Sequence, residues 1–131
     1  MRTLARESVL KFLFSQLFIP SDEGLFSVLL KDLNQDDKQF ATDLLNTIEE
    51  NKQIYLDTIE KLAVGYKLNR IFNVDKCVLM IALAELDKFT DTPVAVVINE
   101  AVNIVAKYST EGSTDFVNGI LAEYARSKNN G

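Results

Sequence analysis

Residues 73–89 read NVDKCVLMIALAELDKF, and every side chain from Cys77 to Ala84 is apolar. A run of that length fits a buried strand or a buried helix, and its periodicity does not separate the two. Its composition does. Leu, Ala and Met dominate it, and these are good helix formers. Asn73 suits an N-cap, Asp75 the first turn and Lys88 the last, where each charge matches the helix dipole. No other stretch reads as a partner strand. A helix apolar nearly all round must be buried nearly all round, so other helices have to surround it.

Working outward, the pattern predicts those helices. Thr3 reads as the cap of a first helix running to about Phe18, with Val9, Phe12, Leu13 and Leu17 on one face and Leu10 and Phe14 widening it. Pro20 ends it, and Ser21 caps a short second helix with Asp22 and Glu23 in its first turn and Leu25, Phe26, Leu29 and Leu30 inward. Asn34, Asp36 and Asp37 open a third helix striped by Phe40, Leu44, Leu45 and Ile48. The polar patch Glu49–Gln53 is either a kink or a solvated face. The period resumes through Ile54, Leu56, Ile59, Leu62 and Ala63 and stops at Gly65, a natural residue just past a helix end. Leu68–Phe72 reads as a single turn. Thr92 as N-cap with Pro93 in the first helical position starts the next helix, carrying Ile98, Ala101, Val102 and Val105 at helical spacing. Asn99, Glu100, Asn103 and Lys107 take its other face. A loop over Ser109–Gly112 leads to a last helix capped by Ser113 and striped by Phe116, Val117, Ile120, Leu121 and Tyr124. Gly119 inside it suggests a close backbone approach.

Composition bounds the function. The chain has 131 residues, a size typical of one domain, and 47% hydrophobic with 25% charged residues, a globular balance. Its formal net charge is -5, so any nucleic-acid site must be a local basic patch on an acidic protein. The one cysteine, Cys77, excludes a disulfide framework and lies in the apolar run. There is no histidine, hence neither the commonest general base nor the commonest metal ligand. No glycine-rich phosphate loop and no cysteine cluster for zinc occur. These residues point to binding rather than catalysis, with no cofactor. No signal-peptide pattern and no apolar run near ~18 residues is present, so a cytoplasmic protein is expected.

Three pieces near the C-terminus carry a family resemblance: Asn99-Glu100-Ala101, Ala106-Lys107-Tyr108 and Phe116-Val117-Asn118-Gly119-Ile120-Leu121. Upstream, Asn69-Arg70, Val74-Asp75-Lys76, Leu79-Met80-Ile81-Ala82 and Glu85-Leu86 follow in order, as do Ala5-Arg6-Glu7 and Phe12–Gln16. Together, over about residues 2 to 124, they resemble the NusB family. The FVNGIL hexapeptide is the most specific of them. The resemblance implies an all-α fold of about seven helices in two packed small bundles, about 1–66 and about 67–127, within one domain.

It also implies a transcription antitermination factor, not an enzyme. NusB-like proteins bind the boxA element of nascent RNA together with NusE, a ribosomal protein, and join RNA polymerase, notably in ribosomal RNA operons. On matching positions the resemblance implies Arg2 and Arg6 on phosphates, with Lys107, Tyr108, Phe116 and Asn118 on the same surface. It implies Asp75 as an acidic position facing NusE. The chain departs from the family where Thr3 and Leu4 stand in the middle of an arginine cluster, at Met80 and at Ala84. Fewer phosphate contacts mean a shallower salt dependence.

Each of these residues also has a plainer role. Phe116 and Tyr108 lie on helical stripes and fit the core; Asn118 fits a bond to a neighbouring helix end. Arg2 and Arg6 fit solvated charges, Asp75 a first-turn charge, and Asn99 and Glu100 ties between helices. Two other function classes stay open: a NusB-like interaction module with weak or no RNA binding, and a fragment of an rRNA cytosine methyltransferase, whose N-terminal part is NusB-like.

Overall fold

A computed structural model describes residues 2–19 and 24–130, with side chains through 128. The readings placed on Pro20, Ser21, Asp22 and Glu23 lie outside the described residues. Among the described residues there is no strand. Six α-helices follow one another: α1 (Thr3–Gln16), α2 (Leu25–Leu30), α3 (Gln35–Leu62), α4 (Asn73–Lys88), α5 (Val94–Tyr108) and α6 (Glu111–Asn130), with a 3-10 turn at Leu68–Arg70 between α3 and α4. A kink at Asn51 divides α3, so the helical segments come to about the expected seven.

The layout is two small helical bundles. Helix α1 packs on both α2 and α3, α5 packs on α6, and α4 touches α1, α3, α5 and α6. That central position follows from its sequence: Cys77 through Glu85 are all buried. Every residue from Ala5 to Leu10 of α1 is buried as well, although Arg6, Glu7 and Ser8 are among them. Among the described residues no buried side-chain nitrogen or oxygen lacks a hydrogen-bond partner, which is what interior polar groups require.

Local signals succeed where nothing competes for the side chain. Asn34 caps α3, its Oδ1 accepting from the Asp37 backbone N–H at 2.8 Å. Gly65 takes φ +87°, the left-handed conformation glycine tolerates after a helix. Other caps are corrected. Thr3 is already helical and its hydroxyl donates to Glu100 at 2.6 Å. Asn73 is the first residue of α4 and makes no cap bond. Pro93, not Thr92, sits in the cap position of α5. Helix α6 starts at Glu111, so Ser113 lies within it. Helix α1 stops at Gln16, short of Phe18. A Cβ on Gly119 would meet nothing within 4 Å, so no close backbone approach explains that glycine.

One residue of the later stripe differs from the expectation. Ile54, expected inward, is exposed, while its neighbour Tyr55 is buried and donates its hydroxyl to Asp87 at 2.9 Å. The stripe itself keeps its phase across the kink: Tyr55 and Ile59 follow Ile48 at helical spacing, and Leu56, Ile59, Leu62 and Ala63 are buried or half-buried as expected.

Candidate functional site

Three buried or half-buried charge clusters organise the surface where the expected site residues lie. The first centres on Arg6. Its Nε and Nη2 donate to the two carboxylate oxygens of Glu85 at 2.6 and 2.8 Å, and its Nη1 donates to Glu100 at 3.0 Å. Arg6 is 4% exposed and Glu85 1%. Burial opposes the charge on Arg6, but the hydrogen bond and charge of Glu85, with the charge of Glu100, hold its pKa above the ordinary value. A guanidinium gripped on both edges has no face left for a phosphate. Arg6 thus links α1, α4 and α5 and lies in the interior, where a phosphate contact was expected to be exposed.

Arg2 stays exposed. Its guanidinium stacks over the Phe40 ring at 4.3 Å, near the start of α3. Phe40 in turn meets Phe89 edge-on at 5.4 Å. The hollow that Arg2 lines also holds Lys88 and the carboxylates Asp36, Asp43 and Asp91. Two cations among three anions make a weak attractor for a polyanion.

The second cluster holds α1 against the end of α5. Lys107 Nζ donates to both Glu7 oxygens, at 3.0 and 3.3 Å, and the Tyr108 hydroxyl donates to Glu7 at 2.6 Å. Burial alone raises the Glu7 carboxyl, but the bonds from Tyr108 and Lys107, with the charges of Lys107 and Lys11, hold it below its ordinary value. Lys107 is held above its own, chiefly by the bond to Glu7.

The third cluster lies under the α5–α6 turn. Asp75, 2% exposed, accepts from the Ser109 hydroxyl at 2.6 Å and the Ser113 hydroxyl at 2.7 Å. The Thr110 hydroxyl lies 2.9 Å from Ser113 Oγ. A carboxylate so enclosed is not the surface contact expected of it. It fastens the turn at Ser109 and Thr110 to the first turn of α4.

That turn walls an open pocket of about 190 Å³ lined by Tyr66, Arg70, Phe72, Asp75, Thr110 and Phe116, among others. Phe116 is half-buried, and its ring meets Tyr66 edge-on at 5.3 Å. Tyr66 and Phe72 are exposed aromatics. Sequence reasoning missed Tyr66, Arg70 and Phe72, because nothing local shows that the α3–α4 connection folds back against α6. Their composition, two aromatics and an arginine in seven residues, was the available signal.

Lys107 and Tyr108 end α5 and bind Glu7 of α1, whereas Phe116 lies beyond the turn in α6 against Tyr66. Asn118 follows Phe116 by two residues, about 200° round the helix. It lines a shallow apolar groove with Val96, Ile98 and Val102 of α5. Arg2 stands near Thr3, whose partner Glu100 is two helical turns before Lys107.

A family model described as "NusB family" matches residues 3–126. The chain belongs to the NusB family. It is 37% identical to the transcription antitermination protein NusB of Acetivibrio thermocellus over 131 aligned positions, covering 97% of this chain and 90% of that protein. The NusB protein of Methylacidiphilum infernorum is 38% identical, with 92% and 87% covered. Among solved structures, T. maritima NusB superposes with a TM-score of 0.90 at 33% identity, covering 96% of this chain and 91% of that one. A chain in a crystal structure of antitermination factors NusB and NusE in complex with dsRNA superposes at 0.85 with 25% identity, 96% of each chain being covered. This NusB-family chain shares their all-helical architecture. No helix among its described residues is long and apolar enough to cross a membrane.

Proposed function

We propose that this chain is a cytoplasmic transcription antitermination factor that binds boxA-type single-stranded RNA together with NusE and joins RNA polymerase in ribosomal RNA operons. It acts by binding, not by catalysis, as one domain whose bundles meet near residue 66. The observation that carries the reading is the surface around the α5–α6 turn. There the exposed or half-exposed rings of Tyr66, Phe72 and Phe116 stand beside the cation Arg70, and Lys107 lies at the end of α5, before the turn. Unpaired bases stack on such rings and on guanidinium planes, and basic side chains take the phosphates. In this reading Lys107, Tyr108 and Phe116 touch RNA, Asn118 and Arg2 extend the contact, and Arg6 and Asp75 hold the surface in shape. Phe14, Leu17, Phe18 and Ile19, exposed at the end of α1, offer a protein partner an apolar face.

A second reading, a diverged interaction module with weak or no RNA binding, is favoured by two observations: Arg6 is interior, and Arg2 stands among three aspartates.

The test is a titration of a boxA-type RNA oligomer, with and without NusE, at several salt concentrations. Because this chain alone offers few free cations, NusE is expected to raise RNA affinity at least tenfold, ~1.4 kcal/mol of coupling. Phe116→Ala is expected to weaken RNA binding by ~1–3 kcal/mol through lost stacking. Equal affinity with and without NusE, and no loss on Phe116→Ala, would favour the interaction module.

A further inference from the structure

Glu7 holds both Lys107 and Tyr108, two residues that the RNA-binding reading assigns to RNA. Both its oxygens face the Lys107 ammonium, and it takes the only O–H of Tyr108. Glu7 is buried and belongs to α1. Lys107 is 58% exposed on a flexible stem, so it is the partner that can move. Seen from an approaching polyanion, the pair carries no net charge. A neutral pair displaces none of the counterions whose release drives phosphate binding. For Lys107 to reach a phosphate, it must leave a largely buried carboxylate with Tyr108 as its remaining hydrogen-bond partner, which is unfavourable for a buried charge.

We propose that Glu7 is an internal competitor of RNA phosphate, restraining RNA binding by holding Lys107 and Tyr108. This rests on the RNA-binding reading above. A carboxylate that merely positioned Lys107 for RNA would have the opposite effect when removed, so the sign of the change decides between them.

Glu7→Gln is the test, since it keeps an acceptor for Tyr108 and removes the charge. Parent and variant are titrated with a boxA-type single-stranded RNA oligomer in the presence of NusE, from about 50 to about 200 mM salt. Melting curves are taken alongside. The variant is expected to bind about fivefold more tightly, the upper end for an accessible ion pair. Its log–log salt slope should steepen by about 0.7, the increment for one freed cation on a single strand. Adding Lys107→Gln should abolish both gains. Binding by Glu7→Gln but not by the parent would also support the restraint. Equal or weaker binding by a folded Glu7→Gln overturns the proposal and leaves the RNA reading standing. If neither protein binds RNA, both fall. Should Glu7→Gln melt below the assay temperature, Glu7→Met, apolar and similar in size, replaces it with the same expectations.

Discussion

Arg6→Ala separates the interior role of this residue from a surface one. The substitution leaves Glu85, 1% exposed, with a charge and no counter-ion, and takes from Glu100 one of its two donors. Removing one partner of a buried ion pair costs about 3–5 kcal/mol, most of it the stranded charge. Unfolding entropy of about 2.1 cal/mol/K per residue gives about 0.28 kcal/mol/K for a chain of this length, so the midpoint should fall by about 11–18 °C. Because the pair is shielded from solvent, the loss should change little between low and high salt. Arg6→Met with Glu85→Leu should recover much of it, since well-packed apolar side chains replace a buried pair at little or no cost. Thermal and urea melts measure these effects. A folded Arg6→Ala within about 1 kcal/mol of the parent would refute the interior role. So would an RNA salt slope shallower by about 0.7 at unchanged stability, the mark of a lost phosphate contact.

Cys77 is buried and its thiol pKa is pushed up to about 11, by burial above all. It should react with a thiol reagent at pH 8 only as the protein unfolds, and rapid labelling of the native chain would contradict that. Glu7 and Asp87 both lie below their ordinary values of 4.5 and 3.8. In each, bonds from neighbours outweigh the upward push of burial. The unfolded chain thus binds protons first, so their contribution to stability is full above those ordinary values and is lost as pH falls through the lower folded ones. Melting midpoints in acid should drop over that range, and Glu7→Gln should drop less.

The central helix was legible because burial on every side leaves a run with no polar residue, a property of the sequence alone. The stripe of α6 was legible for a related reason, its one dry face; that of α5 was legible only in part, since Val97 and Ile104 are buried with Ala101 and Val105 while Ile98 and Val102 are half-buried. Caps were legible only where the side chain had no better partner. Asn34 caps α3 as expected, whereas Thr3 and Ser113 were drawn to Glu100 and Asp75, residues about a hundred and nearly forty positions away. Arg6 and Asp75 failed as surface residues for the same reason. A charge is read as exposed until its partner is known, and theirs lie in other helices. Tyr66 and Arg70 join Phe116 only through the path of the α3–α4 connection, which no periodicity encodes.

The polar ties of α1 also set an order on the growing chain. Arg6 waits 79 residues for Glu85, and Glu7 waits 100 for Lys107. At ribosomal rates of about 5–20 residues per second, the second wait lasts about 5–20 s. The helix made first therefore stays incomplete until most of the chain has been made. Until then Arg6, Glu7 and Lys11 remain hydrated along a segment that also carries Val9, Leu10, Phe12, Leu13 and Phe14. Charges beside such a segment oppose its sticking to other nascent chains. The same residues that later fasten the helix from inside keep it soluble while its partners are still being translated.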